Sequence, residues 1–96
     1  MSRVLLSPKA QSDLSDIWDY TLEQWGIDQA EKYLRELWGA IEQQTCDPKM
    51  SVAIGDVRKG YRKVRLGSHI VFFKLLENEV DIVRILHQRM DFERHF

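Results

Sequence analysis

The chain has 96 residues, of which 44% are hydrophobic and 30% charged, with a formal net charge of −1. That is the size and make-up of one globular domain (residues 1–96), and it excludes disordered and fibrous classes. No apolar run approaches the roughly 20 residues of a membrane span. The N-terminal MSRVLLSPKA lacks a secretory h-region, and a lone Cys46 cannot close an internal disulfide, so a cytoplasmic protein with no membrane partner is expected. The near-zero charge hides an asymmetry: residues 1–56 carry five Lys/Arg against ten Asp/Glu, whereas residues 57–96 carry nine against five. An acidic first half and a basic second half make a polarised surface rather than a nucleic-acid-binding composition.

Val4-Leu5-Leu6 is long enough for one strand, predicted over Arg3 to Leu6. Ser7-Pro8 then starts a helix, with Ser7 as N-cap and Pro8 at the first helical position. Ala10, Leu14, Ile17, Trp18, Thr21 and Trp25 recur at helical spacing and form its apolar face. Asp13, Asp16, Asp19 and Glu23 are read as the solvated face, and Gly26 as the stop. Asp28 and Glu31 have capping-box spacing and predict a second helix at once. Its apolar face is Ala30, Tyr33, Leu34, Leu37, Trp38 and Ile41, and it ends before Pro48. So short a connection folds the pair into an αα-hairpin. Trp18, Trp25 and Trp38 are expected to pack against a sheet, and Cys46 to be a small residue at a helix end.

Residues 47–57 read as a loop punctuated by Pro48, Ser51 and Gly55. From Gly60 to His87 the pattern changes to three strands: Arg62 to Leu66, a run centred on Ile70 to Phe73, and Val80 to Leu86. Gly67-Ser68 and Glu77-Asn78 are the two turns, with Gly67 and Asn78 suited to positive φ. Apolar residues on both faces of the last strand (Ile82 and Leu86 against Val83 and Ile85) mark it as an inner strand, with the N-terminal strand beside it. Gln88 to Phe96 reads as a short helical or irregular end. The expected fold is α+β, an N-terminal strand, an αα-hairpin and a three-stranded antiparallel β-meander. The helices should cover one face of a four-stranded antiparallel sheet.

In that order, D-L-S-D-I-W-D-Y (13–20), W-G-I-D-Q-A-E-K-Y (25–33), R-K-G-Y-R-K (58–63), G-S-H-I-V-F-F (67–73) and V-D-I-V-R-I-L-H-Q-R-M-D (80–91) resemble the RelE/ParE toxin superfamily, and its ParE branch in particular. The resemblance covers nearly the whole chain. Two departures are visible: Pro48-Lys49-Met50-Ser51 lacks the glycine usual after the loop proline, and Phe73 stands where tyrosine is common. The resemblance implies a toxin of a bacterial type II toxin–antitoxin system, held by a ParD-like antitoxin in a hetero-oligomer. ParE-like toxins inhibit DNA gyrase; RelE-like toxins cut messenger RNA on the ribosome.

Metal-free RNA cleavage needs a base, an acid and cations for the phosphate. His87, with Arg84 or Arg62, is the set that could supply them if the alternative nuclease reading holds. His69 and Arg65 are weaker members. On the preferred reading there is no catalytic centre and no cofactor, and a basic surface meets the target. Its residues are Arg58, Arg62, Arg65, Arg84, His87 and Arg89, in a cluster that includes Lys59 and Lys63. A solvated outer face explains those charges equally well. Charge of this kind speeds association more than it adds affinity. Direct sequence-specific DNA binding is not expected, because no recognition helix is basic. No two His or Cys residues have metal-ligand spacing, and no glycine-rich phosphate loop occurs. The antitoxin is expected across the helix hairpin and along an exposed strand edge, with Trp18, Trp25, Tyr33 and Trp38 as the groups its aliphatic anchors meet.

Overall fold

A computed structural model describes residues 3–46, 51–54, 60–77 and 79–89. The order is β1 (Arg3–Leu6), α1 (Pro8–Trp25), α2 (Ile27–Cys46), β2 (Val52–Ala53), β3 (Tyr61–Leu66), β4 (His69–Leu76) and β5 (Glu79–His87). They build one sheet in the order β1-β5-β4-β3-β2. The meander and the inner position of β5 agree with expectation. Two features do not. The sheet has a fifth strand, because Val52 and Ala53, read as loop, pair with Lys63 and Arg62. It is also mixed, because β1 runs parallel to β5, with Leu6 opposite Ile82.

The local signals at the helix ends are met by the backbone. Ser7 Oγ accepts the Ala10 N–H at 3.0 Å, capping α1. Gly26 has a φ of 89° and donates its N–H to the Leu22 carbonyl, a conformation that costs a glycine little. Its own carbonyl accepts from the Ala30 N–H, so the glycine that closes α1 also opens α2. The helix therefore begins at Ile27, one residue before the expected cap. Asp28 lies inside the first turn, where its charge faces the positive end of the dipole.

Both helices lie on one face of the sheet. Ala10, Ile17, Leu37 and Ile41 pack there against Val64, Val71, Phe73, Val80, Ile82 and Ile85. On the other face Phe72, Leu86 and Ile54 form a second buried group. Ile82 and Leu86 thus fall in different clusters, although a regular strand would put them on one side. A β-bulge is the reason. The register runs Phe73 to Ile82 and then Phe72 to Arg84, leaving Val83 as the extra residue. The bulge is tied down by the start of α1: Ser7 N–H donates to the Ile82 carbonyl at 3.0 Å and Ser7 Oγ to the Val83 carbonyl at 2.7 Å.

Of the three tryptophans, Trp18 is half-buried, but Trp25 is 71% exposed and Trp38 lies at the surface. The buried positions of α1 are Ala10, Asp13, Ile17 and Thr21, and the stripe gives out before Trp25. The Gly67 turn has the expected positive φ of 62°. Asn78, Gly55, Arg58, Lys59 and the segment 90–96 lie outside the described residues, as do the side chain of Cys46 and the residues of the 47–50 loop.

Candidate functional site

The β3–β4 turn and the end of β5 rise beneath the first turns of α2 and the middle of α1. Between them is an open cleft of about 660 Å³. Asp13, Asp16, Tyr20 and Trp25 of α1 form one wall, and Tyr33 of α2 stands at its end. His69, His87 and Arg89 form the facing wall.

The two histidines meet because of register. His69 and His87 are directly opposite one another on β4 and β5, with ring centroids 5.5 Å apart and planes at 86°. Tyr33 reaches down from α2 to place its hydroxyl 2.6 Å from His69 Nδ1. Ser68 supplies a backbone hydrogen bond to the same hydroxyl, opposing the upward pull of burial on the Tyr33 pKa. The hydroxyl and His69 Nδ1 share one hydrogen bond, whose donor is set by the imidazole tautomer. The His87 Nδ1 in turn accepts the Arg89 N–H at 3.2 Å. The His87 Nδ1 lone pair is therefore in use. Burial, with His87 adding to it and Asp13 opposing, holds the His69 pKa below the ordinary imidazole value. A metal on His87 Nε2 would put the ring proton on Nδ1, where the Arg89 N–H already points. Among the described residues no group of three His, Cys, Asp or Glu side chains could hold a metal ion.

Asp13 corrects the reading of the acidic helix face. Asp16, Asp19 and Glu23 are exposed as expected, but Asp13 is buried. Its carboxylate accepts from Arg84 Nε and Nη2, both at 2.8 Å, and from the Ile85 N–H at 2.9 Å. This bidentate grip raises the Arg84 pKa further and fastens α1 across the strand just past the bulge. The signal was present in the sequence. Asp13 follows Ala10 by three residues and precedes Ile17 by four, so it lies on the core stripe.

The residues of the alternative nuclease set do not converge. Arg84 is committed to Asp13. Arg62 donates to Ser51 Oγ at 2.7 Å and to the Ser51 carbonyl at 3.1 Å. It pairs with Phe73, four residues along β4 from His69, which is about 13 Å at strand rise. Arg65 is exposed and Arg89 lies at the cleft mouth. Of the expected antitoxin contacts, Trp25 and Tyr33 share the cleft, joined by Tyr20, which sequence reasoning did not single out. Trp18 and Trp38 are not among its lining residues. What sequence reasoning also missed is the partnership of His69 with His87 and Tyr33, visible only once the strand register is known.

The profile of the family described as "ParE toxin of type II toxin-antitoxin system, parDE" matches residues 4–92. The chain belongs to this family. It is accordingly a toxin of the type II toxin–antitoxin class, with an antitoxin as partner. It is similar to Toxin ParE1 of Mycobacterium tuberculosis, 50% identical over 95 residues that cover 98% of this chain and 97% of the relative. Toxin ParE1 of Caulobacter vibrioides is 42% identical over 90 residues, covering 94% and 93%. The solved chromosomal ParDE toxin–antitoxin system of P. aeruginosa superposes on 91% of this ParE-family toxin and 96% of its own chain, with a TM-score of 0.75 at 20% identity. The fold is shared although four residues in five differ. No described helix is long and apolar enough to cross a membrane.

Proposed function

We propose that this toxin works by occupying DNA gyrase in the cytoplasm, without a catalytic centre of its own, and that the whole chain acts as one toxin domain. The observation that carries this reading, beside family membership, is that the arginines of the phosphate-handling set are spent internally. Arg84 is gripped by Asp13 and Arg62 is held by Ser51. A phosphate would have to break a buried bidentate pair to recruit Arg84, a loss of several kcal/mol before any chemistry. Among the described members of the basic target surface, Arg65 and Arg89 are the exposed ones with heads available to a partner, and Arg62, Arg84 and His87 are secondary; Arg58 stays a member from its charge alone. A ParD-like antitoxin neutralises the toxin by seating an aliphatic anchor in the cleft, against Trp25, Tyr33 and Tyr20. Trp18 and Trp38 are left outside that contact.

One observation favours a second reading, a ribosome-dependent endoribonuclease of RelE type. His69, His87, Tyr33 and Arg89 line a single cleft, so an acid, a base and a cation are together there. Purified toxin in a gyrase supercoiling assay and a translation assay separates the two. Inhibited supercoiling with intact messenger RNA upholds the binding reading. Cut transcripts, abolished by His87→Gln in a folded protein, would replace it with the nuclease.

A further inference from the structure

We propose that the cleft selects its antitoxin by charge, taking a segment with an apolar anchor, a Lys or Arg on the side of α1 and an Asp or Glu on the side of β5. Asp16 and Arg89 are the residues that read those charges, on the reading that the antitoxin sits in the cleft. Tyr20 and Trp25 are 65% and 71% exposed, with Ile17 and Leu86 lining the cleft beside them. Such a surface holds any apolar side chain of suitable size, so it carries affinity and little choice. The charged rim is different. Asp16 on the α1 wall and Arg89 on the facing wall are both exposed, and among the described residues neither is in an ion pair. Asp13, buried on the same wall as Asp16, is already bound to Arg84 and the Ile85 N–H.

A carboxylate only accepts hydrogen bonds and a guanidinium only donates them. His87 adds to the donor side, since its Nδ1 takes the Arg89 N–H and its ring proton is thereby on Nε2. The α1 wall is thus an anionic acceptor and the β5 wall a cationic donor. Asp16 comes from the acidic half of the sequence and Arg89 from the basic half, so the cleft is a seam between the two. A segment lying in it meets opposite fields on its two flanks. An exposed matched pair adds only up to about fivefold in affinity, and a mismatched pair removes about as much. Reversing the charge on both flanks of a segment therefore costs roughly a hundredfold, with the apolar anchor unchanged. Trp25 and Tyr20 make the partner bind; Asp16 and Arg89 decide which partner binds.

The test measures binding of the full-length cognate antitoxin to the full toxin chain by calorimetry, at about 50 mM and about 500 mM salt. Asp16→Lys and Arg89→Glu should each weaken binding about tenfold at low salt, and the loss should shrink at high salt. Arg89 meets His87 through its backbone N–H, so exchanging the side chain leaves that contact in place. Asp19→Lys and Arg35→Glu make the same charge changes at exposed positions that do not line the cleft. These two should alter affinity by less than about twofold. Reversing the charge of one lysine or arginine in the antitoxin should restore binding to Asp16→Lys and not to Arg89→Glu. Equal losses at the cleft and control positions, or no antitoxin change that rescues, overturn selection by charge. Where Trp25→Ala still weakens binding in that case, the antitoxin keeps its seat and only the charge assignment falls. Where Trp25→Ala is without effect as well, the antitoxin sits elsewhere and both fall. A free toxin that dimerises, and is made monomeric by Trp25→Ala, gives the cleft to a second copy of this chain and also overturns the assignment.

Discussion

Removing the Asp13 carboxylate is the sharpest probe of how α1 is held to the sheet. Asp13→Ala strands the Arg84 guanidinium, whose side chain is 15% exposed, and the N–H of Ile85, itself buried. Breaking one partner of a buried pair costs about 3–5 kcal/mol, and an unsatisfied buried N–H costs about 1–3 kcal/mol. The two overlap, because relaxation that lets water reach one group reaches the other. The expected loss is therefore about 4 kcal/mol, against a total of roughly 5–15 kcal/mol for a domain of this kind. Asp13→Asn keeps an acceptor for Ile85 but gives up the charge, and should lose about 2 kcal/mol. Urea unfolding followed by tryptophan fluorescence reads both, since Trp18 and Trp25 are on the same helix. Arg84→Met combined with Asp13→Ala should cost at least about 1 kcal/mol less than the sum of the single changes, because the stranded charge is gone. A loss below about 1 kcal/mol for Asp13→Ala would mean that the pair behaves as a solvent-screened surface bridge, and the anchoring argument would fall.

Other expectations are simpler to state. His69 has a folded-state pKa below its unfolded value, so the unfolded chain binds the extra proton; stability is full above about pH 6.5 and is lost as the pH falls through the folded-state value. Chemical denaturation at pH 7.5, 6.5 and 5.5 should show this decline, and His69→Gln should flatten that part of it. Gly39 sits inside α2, where an added Cβ would meet nothing within 4 Å, so Gly39→Ala should raise stability by about 0.5–1 kcal/mol in the same measurement. Gly67→Ala should lower it by about 1–2 kcal/mol, since φ is 62° and the new methyl would crowd Tyr33. Trp25, 71% exposed, should be replaceable by Ala within about 0.5 kcal/mol of stability. The same change should weaken antitoxin binding at least tenfold by calorimetry if the cleft is the seat. Equal affinity would move the antitoxin elsewhere.

Much of this molecule can be read residue by residue because its causes are short-ranged. The Ser7-Pro8 start, the Gly26 break, the burial of Ala10, Ile17, Leu37 and Ile41, and the Gly67 turn depend on neighbours within about four residues. A capping oxygen, a positive φ or a helical stripe leaves its mark in the local sequence. The tip of the hairpin departs from expectation where that locality ends, since the stripe does not say what each turn packs against, and Trp25 stays exposed.

The candidate site depended on distance along the chain. Counting back from the turn, where Leu76 faces Glu79, a regular hairpin would set His69 against Leu86; the extra residue at Val83 shifts the ladder by one and sets it against His87. That bulge is held by Ser7, whose hydroxyl donates to the Val83 carbonyl from 76 positions away. The grip of Asp13 on Arg84 spans 71 positions, and Tyr33 reaches His69 across 36. Local chemistry therefore determined the two helices, the meander and the residues at the centre of the core, while β2 at Val52–Ala53 escaped it. Only the packed sheet decided which histidine meets which and which cation the buried Asp13 takes as its partner, because those outcomes turn on a one-residue register that no nearby residue encodes.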